Sequence, residues 1–391
     1  MKTLKITIIF ILVVLLSTGC WDQRDLSHMM IVSGVAIDKI EDDKILLTLV
    51  SSIPKNVNQN FDSGSFEQNS STFIVSASGV GLMDAYKNIE KKLSREIFFS
   101  QLQFIVIGEQ VAREGVARVL DFFSRHSEPP MRVYIIATKG KAQDTLRVNS
   151  KLEKSVVEQI RKLENLNVSI KMNIKDFLYA LTEDGIQPIA PEIEKVNSEK
   201  NNKTSRTQTI AMNGTAVFNN DKLVGWLDDK ESRGVLWLRN KIKTGVITVF
   251  LPKEKGGGIV AGTIIKSNTK IIPLIDNGKL KLKVDVYVET NISESPSKLD
   301  LTNPTEVHYV ERLYEEDIRK LIERSLEKSQ KQFNMDIFGF GVAVNGKYPR
   351  QWQSNYKRNW DSTFSNLSVE VSCHVKNYST GFDTKSLTQK K

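Results

Sequence analysis

The stretch TFIVSASGVGLMDAYKNIEKKLSREIFFSQLQFIVIG, residues 72–108, decides the fold class. Phe73-Ile-Val75 and Leu102 to Ile107 are runs of strand-forming residues. Between them Leu82, Tyr86, Ile89 and Leu93 recur at helical spacing, which predicts a helix over 82–94. The rhythm then repeats. Val111, Val116, Val119, Leu120 and Phe123 predict a helix over 111–124, and Val133 to Ala137 a third strand. This βαβαβ order predicts a small parallel or mixed sheet covered by helices. The continuous apolar strands suit burial on both faces.

Upstream, Ile31 to Asp38 and Lys44 to Ser51 flank Lys39-Ile-Glu-Asp-Asp43 and read as a hairpin. Residues 54–71, rich in Asn, Ser and Gln, read as a loop or insertion. Downstream, Leu152, Val156, Ile160 and Leu163 predict a helix over 152–166; Ile174, Phe177, Leu178 and Leu181 predict another over 174–181. Residues 197–209 contain no aliphatic or aromatic residue, which predicts a linker and a domain boundary.

Beyond it, 215–218 and 223–227 flank the turn Asn219-Asn-Asp-Lys222, followed by a short helix over 228–240. Strands over 246–251 and 259–266 are joined by Gly256-Gly-Gly258. In 279–290 Leu280, Leu282, Val284, Val286 and Val288 face inward, with the lysines and Asp285 outward. A long helix over about 304–333 starts from Asn303 as cap, with Pro304 at its first position and Glu306 closing a capping-box-like pair. The chain is therefore expected to be a multi-domain mixture of α/β and α+β. Its N-terminal region, 20–205, holds the βαβαβ sheet at about 72–148, with 27–71 and 149–196 around it. Its C-terminal domain, 206–391, is a mostly antiparallel sheet packed by the long helix.

Met1-Lys-Thr-Leu-Lys5 is basic, Ile6 to Leu16 is apolar apart from Thr7, and Ser17-Thr-Gly19 places small residues before Cys20. This layout predicts a lipoprotein signal over 1–19, cleaved to leave Cys20 as the lipid-bearing first residue. An uncleaved anchor and a secreted protein with a chance cysteine are the alternatives. The apolar run is about half of the roughly 20 residues a spanning helix needs. Position 17 holds Ser where such signals usually place leucine, and Leu16 stands one place further back. Removing Lys2 and Lys5 lowers the net charge from +9 to +7, a mild excess that suits anionic lipid or wall polymer. Export and the lack of aromatic-interleaved basic motifs argue against nucleic acid. The second of the two cysteines, Cys373, shares a strand face with Leu367, Val369, Val371 and Val375 and reads as a small buried hydrophobe.

Signals for catalysis are sparse. His28, His126, His308 and His374 have no second His, Cys or Asp at metal-ligand spacing, so neither a metal nor a cofactor is expected. The chain has no G-x-S-x-G elbow and no Walker loop. Gly79-Val-Gly81 opens a helix where a phosphate loop would sit, but position 84 is Asp, which opposes phosphate and suits a first helical turn.

Gly19-Cys-Trp-Asp-Gln-Arg-Asp-Leu26, followed by Ile31-Val-Ser-Gly-Val-Ala-Ile-Asp38, resembles the start of the spore-germination Ger(x)C lipoproteins. Gly214-Thr-Ala-Val-Phe218, Leu223-Val-Gly-Trp-Leu227, Glu231-Ser-Arg-Gly-Val-Leu-Trp-Leu238, Asp336-Ile-Phe-Gly-Phe-Gly341, Trp352 and Trp360 resemble later blocks in the same order. The resemblance implies a three-part α/β lipoprotein, the C subunit of a nutrient germinant receptor. It would act on the outer face of the spore inner membrane with two integral membrane subunits. The resemblance implies no catalytic residues, and lipid attachment carries over onto Cys20. A membrane-anchored solute-binding lipoprotein that takes a nutrient directly is the other reading, with its pocket in 72–137. Which nutrient is sensed, and whether this chain touches it, is not encoded in any motif.

Overall fold

The computed structural model describes residues 28–41, 44–52, 72–126, 128–148, 152–166, 169–198, 208–255, 257–295 and 299–379. Two sheets carry the fold. The first contains β1 (Met29–Lys39), β2 (Ile45–Ser52), β3 (Thr72–Gly79), β4 (Glu96–Phe98), β5 (Phe104–Gly108), β6 (Tyr134–Thr138), β7 (Ile189–Asn197), β8 (Gln208–Asn219) and β9 (Lys222–Leu227). Its order is β3-β2-β1-β5-β6-β7-β8-β9, with β4 beside the start of β1. The β1–β5, β5–β6 and β6–β7 pairings are parallel.

The expected βαβαβ unit is present within this larger sheet. Its first strand, β3, lies at the edge, because the β1–β2 hairpin is inserted between β3 and β5. The composition of β1 accounts for its central place: it is buried on both faces from Val32 to Asp38. Alternate residues feed two cores. Val35, Ile37, Ile105, Ile107 and Ile135 pack with the helices α1 (Leu82–Glu90), α2 (Glu109–Glu114) and α3 (Ala117–Arg125). Ala36, Val106 and Ile136 pack with α4 (Ala142–Leu146) and α5 (Val156–Asn165).

Several local expectations change. The helix expected over 111–124 is two helices, because Gly115 turns the chain at φ 132°. The Val116 N–H then donates to the Asp221 carbonyl at 2.8 Å. The helix expected from Leu152 begins at Val156, capped by the Ser155 hydroxyl, and Leu152 is 93% exposed rather than inward. The segment expected to be a linker, 197–209, joins two laddered strands: Asn197 pairs with Gln208 and Ile189 with Val217. The first sheet therefore takes β8 and β9 from beyond the boundary expected at 205/206. The 54–71 loop and Cys20 lie outside the described residues.

The second sheet contains β10 (Val246–Phe250), β11 (Ile259–Asp276), β12 (Lys279–Glu294) and β13 (Ser368–Ser379) in that order. The first two pairings are antiparallel and the last is parallel. The parallel pair needs a crossover, and the long helix supplies it. After α6 (Ile174–Thr182) and α7 (Asp229–Leu238), this helix is α8 (Pro304–Glu327), continued by a wider turn over Lys328–Phe333. Val310, Tyr314, Ile318, Ile322 and Leu326, spaced one turn apart, form its buried apolar stripe.

The Asn303 side chain caps the Thr305 N–H at 3.0 Å, but Glu306 does not close the box; it reaches Lys255 Nζ at 3.3 Å. The full capping box forms instead on α7, between Asp228 and Glu231. Asp285, expected outward, is buried and paired with Lys283 Nζ at 3.3 Å. Cys373 is half-buried, and burial pushes its thiol up to about 12.

Candidate functional site

Open α/β sheets take ligands at the carboxyl ends of their parallel strands. In this chain that edge is filled from within. Asp38, at the end of β1, accepts hydrogen bonds from the Ala142 N–H at 2.6 Å and the Gln143 N–H at 2.8 Å. Its carboxylate thus occupies the start of α4, where an incoming anion would sit. Burial raises its pKa, and the two N–H donors oppose the rise. Gly108 is required beside it, since a Cβ there would stand 2.2 Å from Asp38 Oδ1. Further along, buried Glu192 meets Lys139 Nζ at 2.8 Å, and the same ammonium lies 5.1 Å from the Trp226 ring. The second anion position is closed in the same way: Asp84 Oδ2 accepts from the Val80 N–H at 3.0 Å. Asp84, in the first turn of α1, therefore holds the Gly79–Gly81 turn from inside.

The densest polar junction lies elsewhere. Asp336 is 1% exposed. Its Oδ1 accepts from the Phe338 and Gly339 N–H groups, each at 2.9 Å, and its Oδ2 from the Gly341 N–H at 2.8 Å and Trp360 Nε1 at 3.1 Å. Its carbonyl accepts from the Gln187 N–H at 2.7 Å, and Arg239 Nε donates to the Ile337 carbonyl at 2.7 Å. Burial pushes the Asp336 carboxyl up against the pull of these donors. Gly185 and Gly341 meet backbone to backbone; a Cβ on Gly185 would lie 2.6 Å from the Gly341 Cα. Trp352 closes over both and packs on Trp360 with ring centroids 5.0 Å apart. Segments distant in sequence are thus locked together around one carboxylate.

A groove of about 430 Å³ opens beside this junction, walled by Glu183 and Asp184 on one side and Lys357 and Asp361 on the other. Lys357 Nζ bridges to Asp184 Oδ2 at 2.6 Å. A second groove, about 720 Å³, runs between the start of α8 and the end of β13, past Pro304, His308 and Tyr378. There His308 Nδ1 lies 2.7 Å from Glu311 Oε2, and Glu311 Oε1 accepts the Asn377 N–H at 2.7 Å.

The described residues contain no group of three or more His, Cys, Asp or Glu side chains able to hold a metal ion. His28, His126, His308 and His374 are not brought together in them. Sequence reasoning missed Asp336 as a hub, although an Asp ahead of Phe-Gly-Phe-Gly is a turn signal. It also missed Glu164, on the inner face of α5. This carboxylate is 1% exposed, has no hydrogen-bond partner among the described residues, and is pushed by burial up to about 7. Its position four residues after Ile160 was the available signal.

Two family models match the chain. "Spore germination protein N-terminal domain" covers residues 22–195, and "Spore germination B3/ GerAC like, C-terminal" covers 213–381. Among curated proteins, "Spore germination protein KC" of Bacillus subtilis (strain 168) is 28% identical, over 94% of this chain and 93% of the relative. "Spore germination protein B3" of the same organism is 24% identical, over 97% and 99%. Among solved structures, "Crystal Structure of the GerBC protein" superposes with a TM-score of 0.57 at 21% identity, covering 88% of this chain and 96% of that one. The last similarity supports the two-sheet α/β fold.

Proposed function

Because the chain belongs to the Ger(x)C family of spore-germination proteins, we propose that it is the non-catalytic lipoprotein subunit of a nutrient germinant receptor. The carrying observation is that the two family segments together span 22–195 and 213–381, nearly the whole chain. Cys20 holds the protein to the outer face of the spore inner membrane. At about 0.8 kcal/mol per buried CH₂, one acyl chain binds marginally and two bind stably. No described helix is long and apolar enough to cross a membrane, so the lipid is the anchor in this reading. Assembly with two integral membrane subunits then proceeds in two dimensions at high effective concentration.

The test is purification from spore membranes through a tag on this chain. Co-purification of polytopic partners is expected; recovery of the chain alone would overturn the assembly reading. Mass spectrometry of the mature N-terminus tests the anchor separately, and an unmodified Cys20 would overturn it. A second reading, direct binding of a nutrient, is favoured only by the charged groove beside Asp336. Calorimetry of the chain against amino acids, sugars and nucleosides separates the two.

A further inference from the structure

The edges of the two sheets are not treated alike. At β3, Lys92 Nζ donates to the Ser76 carbonyl at 2.8 Å and Asn88 to the Ser78 carbonyl at 3.0 Å, so α1 side chains occupy the edge. At β13, Glu315 and Glu311 from α8 accept the Val375 and Asn377 N–H groups at 2.9 and 2.7 Å. Such covering is how proteins blunt strand edges that would otherwise template pairing.

β10 is different. It ends the second sheet, and its ladder to β11 uses the odd-numbered residues: Ile264 N–H donates to the Gly245 carbonyl at 2.8 Å and Leu251 N–H to the Gly258 carbonyl at 2.9 Å. The N–H and C=O groups of Val246, Thr248 and Phe250 therefore point away from the sheet. Of these, the Val246 carbonyl takes Arg233, and no other partner is present among the described residues. The same three residues expose their side chains, Val246 at 47% and Phe250 at 79%, while Ile247 and Val249 are buried.

We propose that β10 is a docking edge for an extended segment of a partner protein. That segment adds antiparallel to 246–250, with β-branched residues at alternate positions and acidic residues at its ends. The ladder supplies affinity, and the exposed Val246 and Phe250 side chains supply its apolar contact. Charge names the occupant. Exposed Lys241 and Lys243 precede the strand and Lys253 follows it, with Lys255 engaged by Glu306; Glu254 is the sole carboxylate in 239–258. A second copy of this chain is disfavoured by the same lysines. Two-fold pairing about Thr248 would set Lys243 against Lys253, and like charges directly opposed are destabilising. The inference does not depend on the lipid anchor or on the number of receptor subunits.

The test uses the full chain in detergent and fluorescent synthetic peptides of alternating valine and threonine, flanked either by glutamates or by lysines. The glutamate peptide should bind with an affinity that falls as salt rises, and the lysine peptide at least about tenfold more weakly. Methylating alternate amide nitrogens of the glutamate peptide should cost about tenfold or more, since it removes ladder donors without touching the protein. Thr248→Pro, tolerable at an edge whose N–H faces outward, should weaken binding similarly. Failure of the glutamate peptide to bind, equal binding of the two flanked peptides, or indifference to methylation would each overturn the proposal. So would a dimer of the chain that Thr248→Pro dissociates, which would put a second copy on this edge.

Discussion

Substituting Glu164 with glutamine should remove a pH dependence of stability that this one side chain imposes. Glu164 is buried on the inner face of α5, one turn after Ile160, with no hydrogen-bond partner for either oxygen among the described residues. Burial raises its carboxyl from 4.5 to about 7, and Lys171 only partly opposes the rise. The folded state therefore holds this proton more tightly than the unfolded chain does. Its contribution to stability is fully present below about pH 4.5 and lost as pH rises to about 7. At about 1.4 kcal/mol per pH unit, the loss is about 3 kcal/mol, a large share of a typical domain's stability. The substituted side chain would carry a buried amide whose cost does not change with pH. The assay is urea unfolding followed by tryptophan fluorescence at several pH values from 4.5 to 8, on both proteins. The difference in unfolding free energy should shift by about 3 kcal/mol against the native protein as pH rises. A difference that stays constant across that range would refute the reasoning, even if both proteins lose stability together.

Asp336→Ala should destabilise by about 3 kcal/mol or more, because it strands four buried donors at once; thermal unfolding measures this. Gly185→Ala should cost about 2–4 kcal/mol, since the new methyl group meets the Gly341 backbone and φ is already 85°. By contrast, Lys357→Ala removes an exposed ion pair with Asp184 and should cost less than about 1 kcal/mol by the same measurement. Iodoacetamide at pH 8 should leave Cys373 unmodified in the native chain and alkylate it in urea, because the thiol stays protonated in the folded protein.

The fold was legible wherever a periodic pattern met a local signal. The β1–β2 hairpin, the βαβαβ order and the apolar stripe on α8 all follow from residues close in sequence. The misreadings share one cause, which is distance along the chain. Gly115 looks like an ordinary helical residue until Asp221 is placed against it. Residues 197–209 look like a linker because composition does not report that the flanking strands are hydrogen-bonded. Glu306 has the spacing of a cap but is drawn to Lys255. At the candidate site, Asp84 was readable as a helix's own anion because Val80 is four residues away. Asp336 was not readable as a hub, since Gln187, Arg239 and Trp360 arrive from three other segments.

The hairpin joining β7 to β8 also governs when the first sheet is complete. The strands that flank β7 come from both sides of residues 199–207, so a fragment ending near 195 would leave Ile189–Glu194 without its β8 partner. Such a fragment would be prone to self-association rather than stable as an independent half. During synthesis the margin at β7 stays open until β8, which ends at Asn219, has emerged, past the midpoint of the chain. The first half of the protein thus cannot be finished before the second has begun.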